Sequence, residues 1–271
     1  MSHILLTNDD GIDAPGLREL LAVLYPLARV SVFAPDHNWS AAGHTKTMHK
    51  PLRVTHQPLN LYGDAETGMG RVEVEAYTTT GTPSDCVALA LLGVLPEKPD
   101  LVVSGINQGG NLGHDLTYSG TVAAAMEAVI SGLPGIAVSL DSFESQDFAF
   151  AARAAARVVE QVLMRGLPSG TMLNVNVPSC PPEEIRGVAI TRLGRRVYRD
   201  VLVERKDPRG RPYYWIGGEP PSGHADEGTD IWAMANGYVS VTPLHLDMTA
   251  YDLVPQLEEW PLEDLVRLEL G

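Results

Sequence analysis

The sequence is poor in cysteine and has no long apolar run. Its 271 residues include two cysteines, Cys86 and Cys180, which are far apart and form no C-x-x-C pair. This spacing suggests neither a disulfide scaffold nor a structural zinc site. No apolar run approaches the length of about 20 residues that a transmembrane helix requires, so we expect no membrane partner.

Basic residues are also scarce. The chain has 20 Lys and Arg residues against 34 Asp and Glu residues, a formal net charge of −14 at pH 7. Attachment to a nucleic-acid polymer or an anionic membrane requires a basic face, so the composition argues against both. A small phosphorylated substrate is compatible if local groups, such as a bound cation, overcome the repulsion. The N-terminus lacks signal-peptide features, which predicts a cytoplasmic protein.

Short apolar runs alternate with helical segments along the first part of the chain. This alternation predicts an α/β fold in which a mostly parallel sheet is flanked by helices on both faces. The strands are predicted at residues 4–7, 30–34, 101–104, 136–140, 172–177 and 239–243, and the helices at residues 15–27, 84–92, 121–130 and 146–163.

The domain organisation is predicted to be a core over residues 1–180 followed by a C-terminal segment over residues 181–271. An irregular region near residues 45–80 is expected to be an insertion beside the main sheet. Its segments 52–56 and 72–77 alternate in the way that exposed edge strands do.

The C-terminal segment contains two further elements. Residues 197–216, with Asp207-Pro208-Arg209-Gly210 at their centre, predict an extended β-hairpin rich in aromatic residues. Such an arm needs a surface on which to pack. Residues 255–270 predict a terminal helix that Pro261 interrupts.

The first buried strand ends in two acidic residues and a glycine, Asp9-Asp10-Gly11. In open α/β sheets, ligands bind beyond the carboxyl ends of strands. Adjacent residues on a continuing strand point to opposite faces, so the two acids can meet one ion only if the chain turns, which Gly11 makes easy. A divalent cation would remove the repulsion between them. An acidic helix N-terminus explains the same residues equally well.

Two more loops reach the same edge of the sheet. The polar residues of segment 34–44 lie at this edge, although taken alone they are typical of an ordinary loop. Residues 102–121 are rich in glycine and enter a helix at Ser119-Gly120-Thr121, where free N–H groups favour an anion. This loop has neither the G-x-G-x-x-G spacing of dinucleotide-binding folds nor the lysine of a Walker A loop.

The candidate metal ligands are oxygen atoms. None of the eight histidines belongs to an H-E-x-x-H or Cys/His pattern, which leaves carboxylate, hydroxyl and carboxamide groups. Hard cations such as Mg²⁺ or Mn²⁺ suit these donors best.

Together these motifs resemble the survival protein SurE phosphatases, which act on nucleoside 5′- and 3′-monophosphates. The segments that carry the resemblance are Thr7-Asn8-Asp9-Asp10-Gly11, Ala34-Pro35 through Ser40, Gly81-Thr82-Pro83-Ser84-Asp85-Cys86, and Gly105-Ile106-Asn107 through Ser119-Gly120-Thr121-Val122. They cover the first half, and residues 240–244 add a weaker match. Many family members have glycine directly after the metal-binding serine, whereas Ala41 stands here.

The resemblance implies a Rossmann-like core that binds one divalent cation per subunit, Mg or Mn. The implied metal ligands are Asp9, Asp10, Ser40 and Asn107, of which the two aspartates are also the catalytic residues. The implied phosphate site consists of Asn111, Ser119, Gly120 and Thr121. The resemblance further implies homodimers or homotetramers that exchange C-terminal segments, a use for the aromatic hairpin.

The expected reaction is hydrolysis of nucleoside 5′-monophosphates, with 3′-monophosphates and polyphosphate as further candidate substrates. We expect Asp9 or Asp10 to accept a proton from an attacking water. Attack by a carboxylate is an alternative, as is proton donation by His114 or His245, for which structural roles are favoured. We expect residues 82–85 to cap the following helix.

Two rival functions are weighed against this one. A nucleotide-dependent oxidoreductase or transferase would need glycines after the first strand, where Asp9-Asp10-Gly11 stand instead. A nucleotide-binding module without catalysis would bind phosphate near Ser119 and release no product.

Overall fold

A computed structural model describes residues 1–62, 71–218, 222–260 and 262. The strands are β1 His3–Thr7, β2 Arg29–Pro35, β3 Val54–His56, β4 Leu59–Tyr62, β5 Arg71–Val74, β6 Ala76–Thr79, β7 Leu101–Gln108, β8 Gly135–Asp141, β9 Thr171–Pro178, β10 Gly187–Ile190, β11 Arg195–Val197, β12 Asp200–Lys206, β13 Pro212–Gly218, β14 Ser222–His224 and β15 Tyr238–His245. The helices are α1 Pro15–Leu24, α2 Pro83–Leu89, α3 Gly120–Ile130, α4 Ala149–Arg165, α5 Asp230–Ala235 and α6 Val254–Glu258.

A nine-stranded sheet runs through the molecule in the order β10-β15-β9-β8-β7-β1-β2-β6-β3. The strands from β9 to β6 in this order pair in parallel, whereas β15 is antiparallel to β9 and β3 is antiparallel to β6. The α/β class with a mostly parallel sheet, predicted from alternating apolar runs and helices, is therefore confirmed.

Helices cover both faces of this sheet, so its central strands are buried on both sides. On one face, Leu17 and Leu21 of α1 belong to the same buried cluster as Ala155 and Val159 of α4. On the other face, α2 and α3 pack together over Leu5 and Phe33. Continuous apolar runs in β1 and β2 satisfy this environment, because each strand must present apolar side chains to two helical layers.

The main sheet continues beyond residue 180. β10 and β15 both come from the C-terminal segment and extend the sheet at one edge. The division into a core over 1–180 and a C-terminal segment over 181–271 stays a prediction. The hydrogen-bonded architecture nevertheless runs across that boundary, since an unpaired edge of β9 would expose its backbone groups.

The region near residues 45–80 also contributes to the main sheet. β6 pairs in parallel with β2, and β3 pairs with β6, so these strands form the opposite edge. β4 and β5 form a separate hairpin. The expected insertion beside the sheet is thus partly integrated into it. The single strand expected over 72–77 is interrupted at Glu75, so that β5 joins the separate hairpin and β6 joins the main sheet.

The predicted aromatic hairpin consists of β12 and β13, from Asp200 to Gly218. It begins after residue 197 because Arg195–Val197 pair instead with Ser222–His224. Its turn is closed by the Asp207 carboxylate, which accepts hydrogen bonds from the backbone of Arg209 at 2.8 Å and Arg211 at 2.9 Å. Of the terminal helix predicted over 255–270, Val254–Glu258 is helical, and residues 261 and 263–271 lie outside the described residues.

Candidate functional site

The site begins where β1 ends and the chain turns. The side chain of Asn8 closes this turn, donating to the carbonyl of Gly11 at 2.9 Å and accepting from its N–H at 3.2 Å. Gly11 has a φ of 103°, a conformation that residues with a Cβ rarely adopt. The turn that Asp9 and Asp10 need in order to face one site is therefore present.

Asp9 is buried against the start of α3, with 3% of its surface exposed. Its carboxylate accepts hydrogen bonds from both the hydroxyl and the backbone N–H of Thr121. A Cβ at Gly120 would lie 2.8 Å from the Cβ of Asp9, so only glycine permits this approach. Burial raises the pKa of Asp9 to about 6, with the charge of Asp10 adding to the shift and Thr121 opposing it.

Asp10 lies at the more open side of the pair. Its carboxylate accepts from the side chain of Asn38 at 2.8 Å and from the backbone N–H of Gln108. Burial raises the pKa of Asp10, and these two hydrogen bonds partly offset the shift. Asp10 thus connects the loop after β2 with the end of β7.

Ser40 reaches Asp10 through one intermediate side chain. Its hydroxyl donates to the amide oxygen of Asn38 at 2.6 Å, and its backbone N–H donates to the same oxygen at 2.7 Å. The loop that carries it is anchored to the turn after β1, since the N–H of Trp39 donates to the carbonyl of Asp9 at 2.7 Å. Asn38 therefore sets the position of Ser40 relative to Asp10.

Asn107 lies on β7, which runs to Gln108 rather than ending near residue 104. Its amide nitrogen donates to the carbonyl of Gly109 at 2.7 Å. The next residue, Gln108, has its backbone beside the Asp10 carboxylate. Asn38 joins Asp10 to Ser40, and Asn107 lies one residue from Gln108 near the carboxyl end of β7.

Ser119 and the residues after it begin α3. The hydroxyl oxygen of Ser119 accepts from the N–H of Val122 at 3.1 Å, which makes Ser119 the N-cap and leaves its hydroxyl proton able to donate. Thr121 uses its hydroxyl and its N–H on Asp9 instead. The expected anion site and the expected metal site therefore share one wall, the first turn of α3.

Asn111 is fixed by buried polar side chains from the neighbouring strands. Its N–H donates to the amide oxygen of Asn176 at 2.8 Å, and its carbonyl accepts from Asn174 at 2.8 Å and from Asn176 at 3.1 Å. Its own amide nitrogen donates to the hydroxyl of Ser139 at 2.8 Å. One amide proton of Asn111 remains for another acceptor.

Two asparagines in β9 that the sequence analysis did not single out support Asn111. Asn174 and Asn176 alternate with apolar residues in β9, yet both are fully buried. Polar residues at alternate positions of a buried strand need partners, and here the partner is the backbone of the glycine-rich loop.

Asp230 holds the same loop from the C-terminal segment. Its two carboxylate oxygens accept from the N–H groups of Gly113 and Gly194, each at 2.7 Å. A Cβ at Gly113 would lie 2.7 Å from the carbonyl oxygen of Gly194, so the two backbones pack directly together. The C-terminal segment is therefore part of the framework of the site.

A buried carboxylate on α3 anchors the loop after β2 to this helix. Glu127 accepts from Lys46 at 2.7 Å and from His44 at 3.2 Å, and all the other residues of α3 are uncharged. Burial alone would raise the pKa of Glu127, but the hydrogen bonds and charges of His44 and Lys46 outweigh it and lower the pKa. A single acid in an otherwise uncharged helix could have predicted a buried residue with a basic partner.

The capping prediction at residues 82–85 is confirmed. The hydroxyl of Thr82 accepts from the N–H of Asp85 at 3.1 Å, and the Asp85 carboxylate accepts from the N–H of Thr82 at 2.9 Å. Asp85 also accepts from the backbone of Thr47 at 2.9 Å, which ties this helix to the loop carrying Ser40.

The donors present suit a hard cation. Within the described residues, no group of three or more His, Cys, Asp or Glu side chains could hold a metal ion. The cluster instead offers two carboxylates, a hydroxyl and a carboxamide, which are the oxygen ligands that Mg²⁺ and Mn²⁺ prefer. The raised pKa of Asp9 and Asp10 reflects two buried acids that a cation would stabilise in their charged form.

Comparison with known proteins identifies the family. The family model described as survival protein SurE matches residues 4–200. This chain belongs to the survival protein SurE family. SurE relatives named 5′-nucleotidase SurE include the protein of Chloroflexus aggregans, 52% identical over 96% of this chain and 100% of its own, and that of Herpetosiphon aurantiacus, 51% identical over 94% and 96%.

The family also accounts for the fold. The crystal structure of the SurE protein from Aquifex aeolicus superposes with a TM-score of 0.79 at 45% sequence identity, covering 94% of this chain and 98% of that one. The resemblance drawn from four sequence motifs is therefore confirmed. In the part of the chain that the structure describes, no helix is both long enough and apolar enough to traverse a bilayer.

Proposed function

We propose that this SurE protein is a divalent-metal-dependent phosphomonoesterase that hydrolyses nucleoside 5′-monophosphates to a nucleoside and inorganic phosphate. The observation that carries the proposal is the contact between Asp9 and the first turn of α3, which places two acids beside an anion-binding helix start. The names of the curated relatives support the substrate class. Hydrolysis of 3′-monophosphates and of polyphosphate is part of the proposal as a secondary activity.

We assign the cation, one Mg²⁺ or Mn²⁺ per subunit, to Asp9, Asp10, Ser40 and Asn107. A bound divalent cation neutralises phosphoryl charge and lowers the pKa of a coordinated water. Asn38 orients Ser40 toward Asp10 with hydrogen bonds of 2.6 and 2.7 Å. The loop after β2, which carries Ser40, is anchored to α3 through the buried Glu127.

The phosphate group is assigned to Asn111, Ser119, Gly120 and Thr121. Ser119 donates its free hydroxyl proton, Asn111 donates its second amide proton, and the N–H of Gly120 points from the start of α3. Thr121 acts indirectly, because both of its polar groups hold Asp9. Rigid support of Asn111 by Asn174 and Asn176 keeps its donor in place before substrate arrives.

Asp9 and Asp10 are proposed as the catalytic residues. The carboxylate of Asp9 is the proposed acceptor of a proton from an attacking water, because it lies beside the start of α3, where the phosphate is assigned. The carboxylate oxygen of Asp9 that does not bind the Thr121 hydroxyl is the proposed acceptor atom. Asp10 would complete the pair of carboxylates that holds the cation.

We also propose that the protein assembles into homodimers or homotetramers through exchanged C-terminal segments, and that it acts in the cytoplasm. The hairpin β12–β13 supports the assembly, because Tyr214, Trp215 and Ile216 are exposed on it. Apolar side chains grouped on an extended arm are typical of a surface that another chain covers.

The test is a phosphate-release assay on chelated protein, with AMP, 3′-AMP, polyphosphate and an aryl phosphate, each without metal and with Mg²⁺, Mn²⁺ or Zn²⁺. We expect release from AMP only after Mg²⁺ or Mn²⁺ is restored. Binding of AMP without phosphate release under every metal condition would support the non-catalytic nucleotide-binding module instead.

A further inference from the structure

Phe143 is an apolar ring displayed at the same edge of the sheet as the site. It follows β8 by two residues, and 84% of its surface is exposed, the largest fraction among the aromatic side chains that the structure describes. The position of the ring, and not its exposure alone, distinguishes it from the other exposed apolar side chains.

The loop that carries Phe143 is held by several hydrogen bonds. Gln108 donates its side-chain amide to the carbonyls of Phe143 at 2.9 Å and Ser145 at 3.2 Å. The hydroxyl of Ser142 accepts from the N–H of Ser145 at 2.9 Å. The ring is therefore presented by a fixed backbone.

The glycine-rich loop leaves space for this ring. A Cβ at Gly109 would lie 2.5 Å from Cε1 of Phe143, so the edge of the ring rests on bare backbone. The neighbouring Gly110 receives the Asp141 carboxylate in the same way, with a Cβ there at 2.5 Å from Oδ1. The pair of glycines lets the loop after β8 close onto the loop after β7.

One residue connects the ring to the catalytic acids. Gln108 gives its backbone N–H to Asp10 and its side chain to the carbonyl of Phe143. Asn107, on one side of Gln108, is an assigned metal ligand, and Gly109, on the other side, contacts the ring. The aromatic face thus lies beside the polar cluster and not on a remote surface.

A nucleoside monophosphate likewise has one charged end and one apolar aromatic end, which match the polar cluster and the ring of Phe143. One end is a dianion that suits the cation and the start of α3, and the other is an aromatic base with no charge. We propose that Phe143 is a specificity-determining residue that stacks on the nucleobase while the phosphate binds at Ser119 and Asn111. Base stacking on an aromatic side chain is tolerant of base identity and stronger for larger rings. This proposal rests on the proposed function.

The test compares AMP with ribose 5-phosphate, which carries the same phosphoester without a base, on the full-length metal-loaded enzyme. Phe143→Ala is expected to lower the ratio of kcat/KM for AMP to that for ribose 5-phosphate by about 5- to 20-fold, mainly through KM for AMP. The effect should be larger for AMP than for UMP, because a purine covers more of the ring.

Two further variants separate stacking from other effects. Phe143→Tyr should retain the AMP preference, whereas Phe143→Leu, which keeps apolar bulk without a π face, should lose most of it. Tyr118→Ala removes a second exposed aromatic side chain, directly before Ser119, and should leave the ratio in place.

Two outcomes would overturn the proposal. One is an unchanged ratio in Phe143→Ala, which includes an equal fall for both substrates, and the other is loss of the AMP preference in Tyr118→Ala instead. Failure of the proposed function looks different, because then the parent protein releases phosphate from neither substrate under any metal condition.

Discussion

The carboxyl edge of β1, β2 and β7, called here the catalytic edge, differs from the hairpin β12–β13 in where its polar and apolar side chains lie. The catalytic edge buries polar side chains, whereas the hairpin exposes apolar ones. At the catalytic edge, Asp9, Asn111 and Asn176 are buried and held by hydrogen bonds within one chain. On the hairpin, 63% of the Trp215 surface is exposed. Buried polar groups that are already satisfied indicate a preorganised site, whereas exposed apolar groups indicate a contact that is still to be made.

The sharpest test of this contrast is removal of a charge at the catalytic edge. Asp9→Asn or Asp10→Asn should reduce turnover with saturating Mn²⁺ by more than about 100-fold, since loss of outer partners of metal ligands already costs about 10- to 100-fold. Circular dichroism should show an intact fold. Asp13→Asn is the matched control, because Asp13 is exposed and forms a surface ion pair with Arg18 at 3.0 Å. Wild-type turnover in either site variant would contradict the assignment.

The next test alters packing at the same edge without changing charge. Gly120→Ala places a Cβ 2.8 Å from that of Asp9, so Asp9 and α3 must separate. We expect about 1–3 kcal/mol of destabilisation and, for a shift near 1 Å, about 100-fold lower turnover. Gly217→Ala in the hairpin is the control, because its Cβ has no neighbour closer than 4.0 Å. Urea unfolding and steady-state kinetics measure both effects. Equal stability and turnover in Gly120→Ala and Gly217→Ala would contradict the prediction.

A smaller effect is expected from the buried acid that anchors the loop after β2. Glu127→Gln should cost about 1–2 kcal/mol near neutral pH, at the low end for charged hydrogen bonds because Lys46 is half-exposed. The lowered pKa of Glu127 means that its contribution is present above its ordinary value of 4.5 and is lost as pH falls through the folded value.

The pH dependence distinguishes this effect from a general loss of packing. Between pH 7 and pH 3, the wild-type protein should lose stability more steeply than Glu127→Gln, measured by urea unfolding at each pH. Glu160→Gln, which breaks a surface pair with Arg157, should follow the wild-type curve. Parallel curves for wild type and Glu127→Gln would mean that the interaction does not depend on ionisation.

The smallest effect on the single chain is expected at the hairpin. Replacing Trp215 and Ile216 with serine should change the stability of the protomer by less than about 0.5 kcal/mol per substitution, because both side chains are exposed. The molar mass measured by light scattering should nevertheless fall. An unchanged mass would show that the hairpin is not the assembly surface.

The sequence predicted the parts of the site that are local. The turn at Gly11 and the start of α3 at Ser119-Gly120-Thr121 each depend on neighbours within a few residues, so residue type was sufficient. The alternation of apolar and helical segments likewise predicted the sheet and its helical layers.

The parts that were missed depend on distant partners. Glu127 meets His44 and Lys46 across more than 80 positions of sequence, and Asn176 meets Asn111 across 65. The strand containing Asn107 continues through Gly105, where a Cβ would lie 2.4 Å from the carbonyl oxygen of Val138. The glycine at position 105 predicted a loop, but its reason is the close packing of β7 against β8.

The position of β15 constrains how the chain can be shortened. β10 precedes β15 in sequence, yet its only sheet neighbour among the described strands is β15, which also covers the edge of β9. A polypeptide that stops before Tyr238 would therefore leave β10 unpaired and Asn174 and Asn176 on the last strand of the sheet. Such a fragment would expose unpaired backbone N–H and C=O groups beside the residues that support Asn111. Early termination is therefore expected to yield insoluble material and not a smaller active enzyme.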